Sequence, residues 1–167
     1  MKSPQTTEIA LDAVDWRLLD LLQTDASRSN QALAEAAHLS APTCLRRVKR
    51  LVDAGLVERQ VALLAADRLA PLIGHGLSAI VEVTLDRQDA DRLDAFEARA
   101  VAEPAVQQCY RVSPGPDFVL VLRVPDMPRY LALAQRLFHA DVNVRNVKAF
   151  FSLKRAKFDT KVPLAQV

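Results

Sequence analysis

Between Leu11 and Leu22 the apolar residues return at every third or fourth position. Leu11, Val14, Leu18, Leu21 and Leu22 therefore fall on one side of a helix. Trp16 stands off that stripe and is expected to pack against a neighbouring element or subunit. A second, shorter helix follows, with Ser29 or Asn30 as its cap and Leu33, Ala34 and Ala37 facing inward. After the brief connection His38-Leu39, Ser40 is the natural cap of a third helix. Its hydroxyl can accept the orphan amide of Thr43 or of a neighbour. Pro42 belongs to the first turn, where a missing N–H costs nothing, and Gly55 ends the helix. Three helices with a short turn between the last two make a helix-turn-helix unit, the motif itself spanning about residues 30–49.

Past Gly55 the period changes. LVERQVALL places Val57 and Val61 at alternating sites and predicts a strand leading out of a winged-helix-like unit. AADRLAPLIGHG, residues 65–76, holds one proline and two glycines and reads as a junction. Strand and helix then alternate. LSAIVEVTL is a strand, ADRLDAFEARAVAE a helix through Leu93, Phe96 and Ala100, and VQQCYRV and DFVLVLRV are strands joined by SPGP. MPRYLALAQRLFHA is a second helix and VRNVKAFFSL a last strand. The order β-α-β-β-α-β predicts the ferredoxin-like arrangement, four antiparallel strands with both helices on one face. The fold class is α+β. The expected organisation is a helix-turn-helix unit over residues 1–60, a connecting strand and linker over 61–76, a sheet domain over 77–153 and a tail over 154–167. The uncovered sheet face is too apolar for water, and a homodimer is the simplest way to cover it.

Composition narrows the function. At 167 residues, half apolar and a quarter charged, the chain suits one ordinary domain or two small ones and is not a disordered protein. No run of 18 apolar residues occurs, so no membrane span is expected. The opening MKSPQTTEIALDAVD lacks the apolar core of a secretory leader. Cys44 and Cys109 stand 65 positions apart with no CxxC or HxxxH pattern. They read as reduced thiols of a cytoplasmic protein, and neither a metal site nor a cofactor is expected. His38, His75 and His139 are isolated.

The net charge of +2 conceals a pattern. Residues 1–60 sum to zero yet hold the cluster LSAPTCLRRVKRL; residues 86–103 carry six acids against three bases, and residues 145–161 six bases against Asp159. On a helical wheel Leu45, Val48, Leu51 and Val52 gather on one side, with Cys44 at its margin. Thr43, Arg46 and Arg50 gather opposite, flanked by Arg47 and Lys49. A basic-polar stripe on the third helix of such a unit is what enters a DNA major groove. Arginine can grip guanine O6 and N7, threonine can meet a thymine methyl or a phosphate, and Ser40 with the free amides of the helix start suits a phosphate. One or both of Arg46 and Arg50 are expected to reach base edges, and Lys49, toward the flank, to touch phosphate only. The competing reading is a solvated basic face.

LDAVDWRLLDLLQTDASRSNQALAEAAHLSAPTCLRRVKRLVDAGLV resembles the DNA-binding half of the Lrp/AsnC (feast/famine) transcriptional regulators. The second half resembles their ligand-binding domain, the likeness running from about Leu11 to Pro163. The resemblance implies a prokaryotic, amino-acid-responsive transcription factor acting on double-stranded DNA at the nucleoid. It implies dimers formed through the sheet domain, often stacked as a tetramer of dimers, and an amino acid or similar metabolite bound between sheet domains. The family's Val-Thr/Ser-Gly-x-x-Asp-aromatic segment reads here Val112-Ser113-Pro114-Gly115-Pro116-Asp117-Phe118, with Pro114 where the glycine stands. By resemblance Asp117 would take the effector ammonium, Ser113 and Gly115 would lie near its carboxylate, and Met127 and Phe150 would line or border the pocket. Asp117 as a turn residue capping its own backbone is the competing role.

Other classes fit less well. No clustered acid-base pair, nucleophile elbow or phosphate loop supports an enzyme. An architectural DNA-binding protein without ligand response stays open because of Pro114. The basic tail Lys154 to Lys161 either adds phosphate contacts or solvates an end.

Overall fold

The computed structural model describes residues 9–73 and 76–164. His75 and the last linker positions before Gly76 lie outside the described residues. The chain divides into two compact units, Met1–Leu63 with Lys157–Val167, and Leu64–Ala156.

The first unit holds α1 (Ala13–Thr24), α2 (Asn30–Ala37) and α3 (Ala41–Asp53). Asp12 caps α1 reciprocally with Asp15: each side chain takes the other's backbone amide, at 2.9 and 3.1 Å. Ser29 caps α2 by accepting the Ala32 amide, so of the two candidates the serine is the cap. Residue His38 turns the chain out of α2 in a left-handed conformation, φ 57°. Gly55 does the same after α3 at φ 74°, with Leu56 and Gly55 donating back to the carbonyls of Leu51 and Val52. The core between the helices is Leu18, Leu33, Ala34, Ala37, Cys44 and Leu51, with Leu11, Val14, Leu21 and Leu22 packed around it.

Two expectations about chain organisation change. Residues 58–65 form no strand, and Val61, Leu63 and Leu64 stand exposed. A strand persists only with a ladder partner, and none of the described strands pairs with this stretch. The junction instead contains a helix, α4 (Ala66–Ile73), which belongs to the second unit. The tail is not a separate end either. From Lys157 it packs with the helical unit, where the Gln23 side-chain amide donates to the Val162 carbonyl and accepts the Val162 N–H, at 3.0 and 2.9 Å. Lys161 pairs with Asp20 at 2.8 Å.

The second unit carries β1 (Leu77–Leu85), α5 (Ala90–Ala102), β2 (Val106–Arg111), β3 (Phe118–Val124), α6 (Met127–Ala134) and β4 (Val144–Phe151). The sheet order is β2-β3-β1-β4 with every neighbouring pair antiparallel, the ferredoxin-like arrangement. α6 runs on into one wider turn, Gln135–His139, where the Ala140 amide reaches back five residues to Gln135. Alternation along β1 and β3 buries Ala79, Val81, Val83, Leu85, Phe118, Leu120, Leu122 and Val124. They pack with Phe96 and Ala100 of α5 and with Tyr130, Leu133 and Ala134 of α6. The opposite face, which carries Ile80, Val119, Val121 and Phe150, is half-buried to exposed and is interrupted by Glu82 and Lys148.

Candidate nucleic-acid interface and effector loop

α3 is anchored through Cys44 and Leu51, both fully buried, with Val48 beside them. The buried side of the helix is therefore rotated from the one its apolar residues suggest. Leu45 is 60% exposed and Val52 43%, and the two lie off the core. The outward side is centred on Pro42, Arg46 and Asp53, with Lys49 and Arg50 toward its two flanks. The core selects Cys44, a small buried thiol, over the larger Leu45.

The four basic residues divide into two pairs. Arg46 and Lys49 are exposed and enter no ion pair among the described residues. Arg47 and Arg50 turn back to α1. The Arg47 Nη1 donates to Asp12 at 2.8 Å and to Asp15 at 2.9 Å, and Arg50 closes on the other oxygen of Asp15. Asp15 itself is 1% exposed. The first-turn amide of Asp15 and the Arg47 guanidinium hold the Asp12 carboxyl below its usual range. The two acids push Arg47 still higher. Arg50 thus does not stand free beside Arg46, contrary to the wheel. Sequence reasoning passed over Asp15, although its position, four after Leu11 and three before Leu18, sets a carboxylate within the buried stripe.

Ser40 occupies the cap position of α3, but its hydroxyl caps no amide; it donates to the Thr43 hydroxyl at 2.9 Å. Those amides are not covered by a side chain, and both hydroxyls sit at the helix start beside Arg46 and Arg47 in sequence. Asn30 on α2 donates to the Ala41 carbonyl at 2.9 Å and ties the start of α2 to the start of α3.

In the sheet unit, Val112 N–H donates to the Asp117 carbonyl and closes a hairpin whose tip is Ser113–Pro116. Ser113 and Gly115 are exposed, and Gly115 has φ 123°, open to glycine and strained for other residues. The Asp117 carboxylate is engaged: one oxygen accepts the Leu85 amide at 2.6 Å, while the Asp117 amide donates to Val83 at 2.9 Å. Asp117 therefore latches the start of β3 to the end of β1. Its partner is a neighbouring strand's backbone and not its own turn.

The five effector candidates do not converge within one chain. Phe118 pairs with Val83 and Val124 with Leu77, so Asp117 and Met127 lie beyond opposite ends of β3. Seven strand residues separate them by roughly 20 Å or more. Phe150 pairs with Ile80, which faces Val121 at the middle of β3, on the open face. Both thiols are pushed above their usual range by burial. No cluster of histidine, cysteine or carboxylate suited to a metal occurs among the described residues. No helix of the described residues is long and apolar enough to cross a membrane.

Comparison with known proteins places both units. Residues 11–52 match a family model described as the AsnC-type helix-turn-helix domain, and residues 78–162 one described as the Lrp/AsnC ligand binding domain. The DNA-binding transcriptional activator DecR of Escherichia coli K12 is 33% identical over 154 residues, covering 92% of this chain and 99% of DecR. The leucine-responsive regulatory protein of Rhizobium meliloti is 34% identical over 149 residues, covering 89% of this chain and 93% of that protein. Among solved structures, a transcriptional regulator of Neisseria meningitidis in complex with L-methionine superposes with a TM-score of 0.83 at 30% identity. It covers 93% of this chain and 98% of that one.

Proposed function

The chain belongs to the Lrp/AsnC family of transcriptional regulators, with a DNA-binding helix-turn-helix and a ligand-binding sheet unit; from that premise we propose how the two are used. α3 enters the major groove of double-stranded DNA with Arg46 toward the bases. Lys49, Ser40 and Thr43 take phosphates beside it. The observation that carries this reading is the outward, unpaired placement of Arg46 and Lys49 on a helix whose inner side is locked into the core. The protein works in the cytoplasm at the nucleoid, by binding and without catalysis.

Two protomers join through the open sheet face, and such dimers can stack into a tetramer of dimers. The pocket takes a free amino acid, as the Neisseria regulator takes L-methionine. The separation of Asp117 from Met127, at opposite ends of β3, favours a pocket completed by a second protomer over one enclosed by a single sheet. Ser113, Gly115 and Asp117 contribute one wall, and Met127 and Phe150 of the other copy contribute the opposite one.

Thermal melts of the full chain against a panel of amino acids test the response. A ligand that binds the native state at 100 times its Kd adds about 2.7 kcal/mol and raises the midpoint. Asp117→Asn keeps an oxygen for the Leu85 amide but loses the charge, so the shift should vanish while DNA binding persists. No shift with any amino acid would favour an architectural role. An equal shift in both proteins would leave Asp117 as a strand latch only.

A further inference from the structure

Asp15 is the one buried carboxylate among the described residues, and both of its oxygens are committed. One accepts Arg47; the other accepts Arg50 and the Asp12 amide. Its partners on α3 lie 32 and 35 positions away, so this is a tie between helices and not a local cap. An ionised carboxylate enclosed this far is tolerable only while its donors stay in place, because removing one leaves buried charge uncompensated. Arg47 Nη1 serves both acids, and its Nε is enclosed without a partner. Arg50 is 43% exposed and could swing outward, but only by abandoning Asp15.

We propose that Asp15 is a specificity-determining positioning residue of the DNA-binding unit, which holds Arg47 and Arg50 against α1 and leaves Arg46 as the guanidinium that reads bases. The proposal rests on the reading that α3 enters DNA. Without the Asp15 charge, Arg50 would be released onto the groove as an additional cation. A freed arginine binds phosphate on any sequence, so affinity for random DNA rises and discrimination falls.

The test is binding-site selection on randomised duplex DNA with the full chain, followed by titrations at several salt concentrations and circular dichroism of each variant. Asp15→Asn should bind random DNA more tightly, with a salt slope steeper by about 0.9, the value of one further phosphate contact. Asp15→Asn combined with Arg50→Gln should return to the wild-type slope. A folded Asp15→Asn with unchanged slope and motif overturns the proposal, as does a slope change that survives in the double variant. If Asp15→Asn does not fold, the arginines decide. Arg46→Gln should erase preference at one base, whereas Arg50→Gln should keep the wild-type motif; loss of a base preference in Arg50→Gln, or none in Arg46→Gln, overturns it. A wild-type chain that selects no motif removes instead the reading beneath it, whatever the variants do.

Discussion

Asp12 and Asp20 are exposed carboxylates held below their usual range, the first by the Asp15 amide and Arg47, the second by Lys161 and Gln23. A carboxylate with a lowered folded value binds protons more readily when unfolded. Its contribution is therefore complete above the unfolded value, about 4, and is lost as pH falls through the folded one. Denaturation midpoints of the whole chain should accordingly be flat from neutral pH down to about 4 on account of these groups and then fall. Asp12→Asn should flatten the acid side of that curve, and an unchanged profile would remove the Asp12–Arg47 pair from the account. The thiols make a second residue-scale case. Cys44 is fully buried with its proton affinity raised, so a thiol reagent should modify it only on unfolding.

Single backbone positions end the helices. Gly55 follows α3 at φ 74°, and a Cβ built there meets nothing within 4 Å. Gly55→Ala thus brings no steric clash with other residues, only the backbone penalty of a left-handed L-residue, about 1–2 kcal/mol. Urea denaturation should show that loss with an unchanged m value; a neutral result would mean the Leu56 and Gly55 hydrogen bonds do not determine where α3 stops. Within the sheet unit, the Asn143 side chain both accepts from the Arg87 amide and donates to the Arg87 carbonyl, at 3.0 and 3.1 Å. It tethers the segment after β1 to the segment before β4, a role no periodicity announces.

For the whole molecule, the proposed dimer rests on the open sheet face. Ile80 is 46% exposed on the central strand β1, between the open-face residues Val121 of β3 and Phe150 of β4. A charge there would have to be desolvated in any dimer that covers the face. Light scattering of the full chain should give a dimer or larger, and Ile80→Arg should shift it toward monomer without lowering helix content. A variant that keeps the wild-type mass would place the dimer contact elsewhere. The tail adds a second covalent route between the units, since β4 leads through Ala156 to the segment paired with Gln23 and Asp20.

The sequence alone was sufficient for every strand of the sheet, both covering helices and the three helices of the first unit. Those elements follow from local regularities: a period of two in LSAIVEVTL, of three to four in LDAVDWRLLDLL, and turn residues at Ser29, Ser40 and Gly55. What it misjudged depends on partners far along the chain. Val57 and Val61 look like a strand but have no described edge to pair with, and Ala66–Ile73 becomes a helix where Pro71 and two nearby glycines suggested only a linker. The rotation of α3 about Cys44 was decided by which side chains α1 and α2 could accept, and that rotation left Leu45 and Val52 off the core. Arg50 looked equivalent to Arg46 on a wheel, because a wheel contains no Asp15. Charge pattern shows where cations are concentrated; only packing decides which of them a buried carboxylate retains.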